Sequence, residues 1–259
     1  MSADRPAEAT APVHPVAPQV RSLSVFPAIY RVLLSSQVTL ARLLALGALG
    51  LAAVLVGWAI GQSDPTDATA TGAQFINVFG LSLTVPVTAL VFASAALGDL
   101  TDDGTLVYLW LRPVRRVTVV VAAFAAALTV TVPLVVVPLV IAAALTGGGA
   151  DLVRGTALAA ALGTVAYAGL FTALGLRVRR ALVWGLLYIF IWEGFVARGG
   201  DNAARLAVRS VTATILQVWS GSELRLGVLA TRTAYVAPFV VASLALAYAT
   251  SRLNRQDVA

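Results

Sequence analysis

Glu193 is the one carboxylate set inside any long apolar stretch of this 259-residue chain. A carboxylate at the centre of a membrane helix costs about 2.5–3.5 kcal/mol on insertion scales, so an intramembrane acid points by default to proton or substrate coupling. Glu193 also stands near the end of its apolar run, shortly before Arg198. Pairing with that arginine, or a structural role at the mouth of a helix bundle, is the alternative chemistry. Trp184, Tyr188 and Trp192 fall at i, i+4 and i+8 just before it. Such a stripe either packs and anchors a helix or walls an apolar path. Most other reactive side chains are missing: there are eighteen Arg but no Lys, no Cys and a single His, His14. Without Lys there is neither a Gly-x-x-x-x-Gly-Lys phosphate loop nor Schiff-base chemistry. Without Cys there are no disulfides, thiolate metal sites or iron–sulfur clusters. His14 lies in a Pro-rich tail, which removes His-based metal sites, Ser–His catalysis and an intramembrane serine protease.

The elements that must position Glu193 follow from composition. Hydrophobic residues make up 59 % and charged residues 12 % of the chain, and the mean hydropathy is +0.89. An average soluble domain carries about 25 % charged residues, so the solvent here is lipid. The net charge of +6 reads as Arg at helix ends rather than as a nucleic-acid surface, since no basic stripe interleaves with aromatics. No nucleic-acid partner is expected.

Residues 1–22, with Pro6, Pro12, Pro15 and Pro18 among Ala and Thr, form a polar tail unable to bury a core. Residues 23–259 make one transmembrane domain. Between Val25 and Arg42, Phe26, Ile29, Tyr30, Leu33 and Leu34 recur at helical spacing. This predicts an interfacial helix or, equally, an early start of the first span. A span needs about 20 apolar residues, which predicts six, at about 38–60, 75–98, 117–145, 153–176, 181–197 and 233–251. Twelve of the eighteen Arg fall on the side of the N-terminus, placing both termini inside. Asp201 and Asn202 read as N-caps of an amphipathic helix with Val208, Val211, Ile215 and Trp219 on one face and Arg205 and Arg209 on the other. That helix lies on or dips into the outer leaflet, or else forms a solvent-side cap. Pro133 and Pro138 predict a kink in the third span. The halves of the chain share no pattern of breaks, which counts against an inverted-repeat transporter.

The loop between the second and third spans is the most distinctive stretch. It runs Gly98-Asp99-Leu100-Thr101-Asp102-Asp103-Gly104-Thr105-Leu106-Val107-Tyr108-Leu109-Trp110-Leu111-Arg112-Pro113-Val114-Arg115-Arg116. Asp102 and Asp103 can cap a short helix starting near Thr105, and Pro113 then re-aims the chain into the next span. The result is either a short, partly apolar helix fit for another protein's groove or an ordinary capped, positively charged loop.

These residues resemble the permease family of ABC-2 type ABC transporters. The shared elements are Ala95-Ala96-Leu97-Gly98-Asp99, Gly104-Thr105-Leu106, Tyr108 and Arg112-Pro113-Val114-Arg115-Arg116, followed later by Trp192-Glu193-Gly194. The chain departs from the family at Leu100-Thr101, where a glutamate is common. The resemblance implies a non-enzymatic, all-α polytopic subunit of a bacterial or archaeal cell membrane. It has six spans, an N-terminal interfacial helix and a cytoplasmic coupling helix. Two such permeases, copies or sisters, would pair and dock on separate P-loop ATP-binding subunits that hold ATP and Mg, so that this chain binds no cofactor. Asp102, Asp103, Thr105, Leu106, Tyr108, Leu109 and Arg112 would then be the docking contacts. Arg115, Arg116, Arg177, Arg179 and Arg180 would meet lipid phosphates or the partner's acidic rim. Spans rich in Ala, Val, Leu and Thr suit an apolar or amphipathic exported cargo. The competing function is an ion-coupled secondary transporter using Glu193.

Overall fold

The computed structural model describes residues 22–102 and 115–255. Most of the expected tail, and the docking segment Asp103–Arg112, lie outside the described residues. Only the backbone of Asp102 falls within them.

Ser22–Gln37 forms α1 and Leu40–Gln62 forms α2. Thr39 breaks the chain between them with extended backbone, and its side chain accepts from the Arg42 amide at 3.4 Å. Thus α1 is a separate helix and not an early turn of α2. Its Ile29 and Leu33 are buried against Leu97, Val119, Ala123 and Leu253, and the Tyr30 hydroxyl shares a 2.9 Å hydrogen bond with Thr129.

Ala68–Phe75 (α3) passes through a π-helical stretch, Ile76–Thr84, into Val85–Asp102 (α4). The start at Ala68 lies well before residue 75 because the Asp67 carboxylate caps it, accepting from the Ala70 amide at 2.8 Å. Pro86 accounts for the wide turns. Its ring lacks an N–H and crowds the carbonyl four residues back, and π geometry relieves that crowding. The hydroxyls of Ser82 and Thr84 donate to the carbonyls of Asn77 and Phe79, each five residues earlier.

Arg116–Leu145 (α5) runs as one helix through Pro133 and Pro138, and Gly149–Arg177 (α6) returns antiparallel to it. Among the described residues, five helical stretches are long and apolar enough to cross a membrane: Leu40–Gln62, Ala68–Gly98, Arg116–Leu145, Gly149–Arg177 and Thr231–Asn254. The expected span 181–197 is not one of them. Ala181–Leu187 (α7) has seven residues and continues as six in π geometry, Tyr188–Glu193. At about 1.5 Å per residue this reaches about 20 Å, against a hydrocarbon core of about 30 Å. A 3-10 turn, Val196–Arg198, and the short Asp201–Ala204 (α8) lead to Val208–Ser220 (α9), and Thr231–Arg255 (α10) completes the described chain.

The bundle is built around α6, which packs on α4, α5, α9 and α10. Lipid is as apolar as leucine, so helices in a membrane associate through close packing of small residues. A methyl added at Gly169 would stand 2.6 Å from the Cα of Ala242 on α10, and one at Gly163 would stand 2.6 Å from Thr212 Cγ2 on α9. Threonines inside the spans are satisfied locally. Thr131, Thr156, Thr164 and Thr172 each donate to the carbonyl four residues back, so they add no polar lining to a path. Arg115, Arg177, Arg179 and Arg180 stand at one end of the bundle, here termed the Arg-rich end. Arg116 donates there to the Leu253 carbonyl.

Gly169→Val will overpack the α6–α10 contact at a cost of about 1–3 kcal/mol. A methyl added at Gly47, on α2, would meet nothing within 4 Å, so Gly47→Ala will be neutral or gain up to about 1 kcal/mol of helix propensity. Thermal unfolding midpoints of the two variants in detergent, compared with wild type, check this contrast.

Candidate functional site

Glu193 ends the π turn and is 2 % exposed. A π turn brings residues five apart onto one face, and the Tyr188 hydroxyl donates to Glu193 Oε1 at 2.8 Å. The Val208 amide donates to the same oxygen at 3.1 Å, and the Arg209 amide to Oε2 at 2.9 Å. Those amides begin α9, whose own cap residue, Ala207, offers no side-chain acceptor. The first amides of any helix lack intrahelical partners, and the helix dipole favours negative charge there. Glu193 supplies both needs from the end of the preceding segment.

The depth of this junction follows from what α9 touches. Gly163 lies against Thr212, and Gly155 against Trp219, so α9 runs antiparallel to α6. Val208, bonded to Glu193, stands one turn before Thr212 on this antiparallel helix and so near the level of Tyr167, which sets Glu193 about 27 Å from the Gly149 end of α6 at 1.5 Å per residue. That is well inside the helix. Glu193 is therefore buried within the bundle and not at a wetted outer mouth. The α7 segment rises to this level from the Arg-rich end, and α9 continues from it to the opposite end. Together the two short segments lead from one end of the bundle to the other, joined by the carboxylate.

Aromatic packing fixes the surroundings. Tyr167 stacks on Phe171 with ring centroids 5.8 Å apart, and Phe171 meets Tyr188 edge-on at 6.2 Å. The Arg209 side chain is only 5 % exposed, and Val208 through Leu216 are all buried. This corrects the expected outward face for Arg209: α9 is enclosed along its first nine residues. The opposite end of α9 is tied to α10, where Trp219 Nε1 donates to the Tyr235 hydroxyl at 2.7 Å.

The sequence-predicted residues separate in space. Trp184 is 55 % exposed, whereas Tyr188 and Trp192 are half-buried. Tyr188 alone of the three is turned to the carboxylate. Asp201 and Asn202 open the four-residue α8 and do not cap the longer helix. Sequence reading missed Tyr167 and the capping amides of Val208 and Arg209. A lone tyrosine in an Ala- and Gly-rich apolar stretch was the available signal for the first, and an uncapped helix start for the second. Among the described residues, no three His, Cys, Asp or Glu gather to hold a metal.

Glu193→Ala will strand two buried amides and a hydroxyl, lowering stability by about 2–5 kcal/mol. Glu193→Gln keeps a carbonyl acceptor and will lose about half as much. Scanning fluorimetry of the detergent-solubilised variants reads the order. Equal losses for Ala and Gln would mean that the carboxylate does not act as a cap.

Comparison with known proteins adds the family. The profile described as ABC-2 family transporter protein matches residues 35–197, from the end of α1 to just past Glu193, leaving α9 and α10 beyond the match. No curated protein matches the sequence. Five helices among the described residues that are long and apolar enough to cross a membrane, an α1 packed at their Arg-rich end and a profile covering more than half of the chain converge: this multi-pass membrane protein belongs to the ABC-2 family of transporter proteins.

Proposed function

We propose that the chain is the membrane-spanning permease subunit of an ABC exporter, working with a separate P-loop ATPase and paired with a second copy or a sister permease. The family match over residues 35–197 carries this reading. The absence of any Lys from the sequence supports it, since nucleotide phosphates must then be bound by another chain. Helix α4 ends at Asp102 and α5 begins at Arg116, so the segment proposed for docking joins two crossings at the Arg-rich end. Thr105, Leu106, Tyr108 and Leu109 are the proposed contacts on the ATPase, flanked by Asp102, Asp103 and Arg112. The apolar walls of the bundle suit an apolar or amphipathic cargo. The capping role of Glu193 favours this reading over ion coupling, because both carboxylate oxygens already hold helix amides.

A tagged protein drawn from its native membrane in mild detergent will bring down a P-loop ATPase in stoichiometric amount, read by mass spectrometry. Leu106→Asp with Tyr108→Asp will lose it. A chain that comes out alone, under conditions preserving known membrane complexes, would overturn the permease reading.

Both termini are proposed to face the cytoplasm, with the Arg-rich end inside. The chain has no Cys, so single cysteines can be placed without background. Ser63 and Ser251 are exposed at opposite ends. In intact cells a membrane-impermeant maleimide will label Ser63→Cys, and Ser251→Cys only after permeabilisation; the reverse pattern would invert the topology.

A further inference from the structure

We propose that a cleft at the Arg-rich end, between the starts of α2 and α7, binds the phosphate of an anionic phospholipid. The inference rests on the reading that the arginines of this end meet lipid phosphates, and it adds a formed site with a second arginine from another helix. The cleft has a volume of about 290 Å³, near the lower bound of ligand pockets and suited to a headgroup rather than a whole lipid. Arg42, in the first turn of α2, and Arg180, immediately before α7, line it from two sides. Val91 and Ser94 of α4 also line it, as do Leu182 and Val183, which follow Arg180 in the chain.

The backbone of Arg180 lies in the left-handed region, at φ 60° and ψ 47°. Asn or Gly takes that conformation far more readily than Arg. Here it makes the sharp turn from α6 into α7 that sets Arg180 on the cleft wall. Guanidinium groups present several N–H donors in a planar fork matched to phosphate oxygens, so a phosphate fits beside bonds that either arginine already makes.

The apolar flanks select a lipid over a free phosphate. Leu182 and Val183 are 48 % and 53 % exposed, and Leu40 and Leu44 on the α2 side are 73 % and 63 % exposed. A ligand seated on the two arginines therefore meets apolar surface on either hand, where acyl chains run. Both arginines sit where apolar helices begin, which is the headgroup level of a bilayer.

The test uses purified full-length protein in nanodiscs of phosphatidylcholine, with or without phosphatidylglycerol. After a delipidating wash, mass spectrometry will find about one phosphatidylglycerol per wild-type chain, with phosphatidylcholine removed. Arg180→Asn keeps the left-handed turn and removes the charge. It and Arg42→Gln will each weaken retention by about tenfold or more, while Arg154→Gln at the opposite end will not. Phosphatidylglycerol will also raise the thermal midpoint of the wild type, an arm that needs no variant. Equal retention of the two lipids, or retention unchanged in both cleft variants, would overturn the proposal. So would binding of inorganic phosphate as tight as that of the lipid, which would assign the cleft to free phosphate. No ATPase enters the assay, so its failure and the failure of the permease reading are separable.

Discussion

Inside a bilayer there is no water to satisfy a peptide group, so a helix can stop at mid-depth only where protein supplies the missing hydrogen bonds. The Glu193 carboxylate meets that requirement here. It accepts the first amides of α9 and the Tyr188 hydroxyl at once, and it brings the end of one short helix to the start of the next. A neutral acceptor would satisfy the amides, but only a charge also opposes the positive end of the α9 dipole. The junction between the two short helices depends on that one side chain, which holds the first amides of α9.

The second requirement is space. A thirteen-residue helix buried along its first nine residues must approach its neighbour closely, and α6 supplies the room through Gly155 and Gly163. The same helix uses Gly169 to admit α10 and Gly175 to admit α4. Bulk is then restored where rings are wanted: Tyr167 and Phe171 are fully or almost fully buried and stack between the glycine notches. Close packing and polar satisfaction therefore converge on α6, since it faces the carboxylate and also holds the helix that the carboxylate caps.

The π segments answer the same demand for bonded backbone. Before Pro86 the widened turns absorb a missing donor, and serine and threonine hydroxyls close onto carbonyls five residues back. Before Glu193 the widened turn swings Tyr188 onto the carboxylate and away from the line of Trp184. In both places a local departure from α geometry sets which side chains face the interior.

Much of the architecture was legible in the residues themselves. Long apolar runs bounded by charge determine helices in lipid, because length and hydropathy leave the backbone no other bonded state there. The loop from Asp99 to Arg116 pointed to the family without any structure. Glu193 was identifiable as the one acid in an apolar segment, since a buried charge is costly enough to need a reason. Its role was not. Periodicity assumes that a helix has one buried face, and it therefore assigned Arg209 outward, whereas α9 is enclosed along its first nine residues. A run of apolar residues likewise reads as a full crossing, although the segment from Ala181 stops at Glu193. Capping from fifteen residues away, the glycine contacts of α6 and the stopping point of that segment are relations between distant parts of the chain. The order of residues determines which groups need partners; only the packed bundle decides which partners reach them.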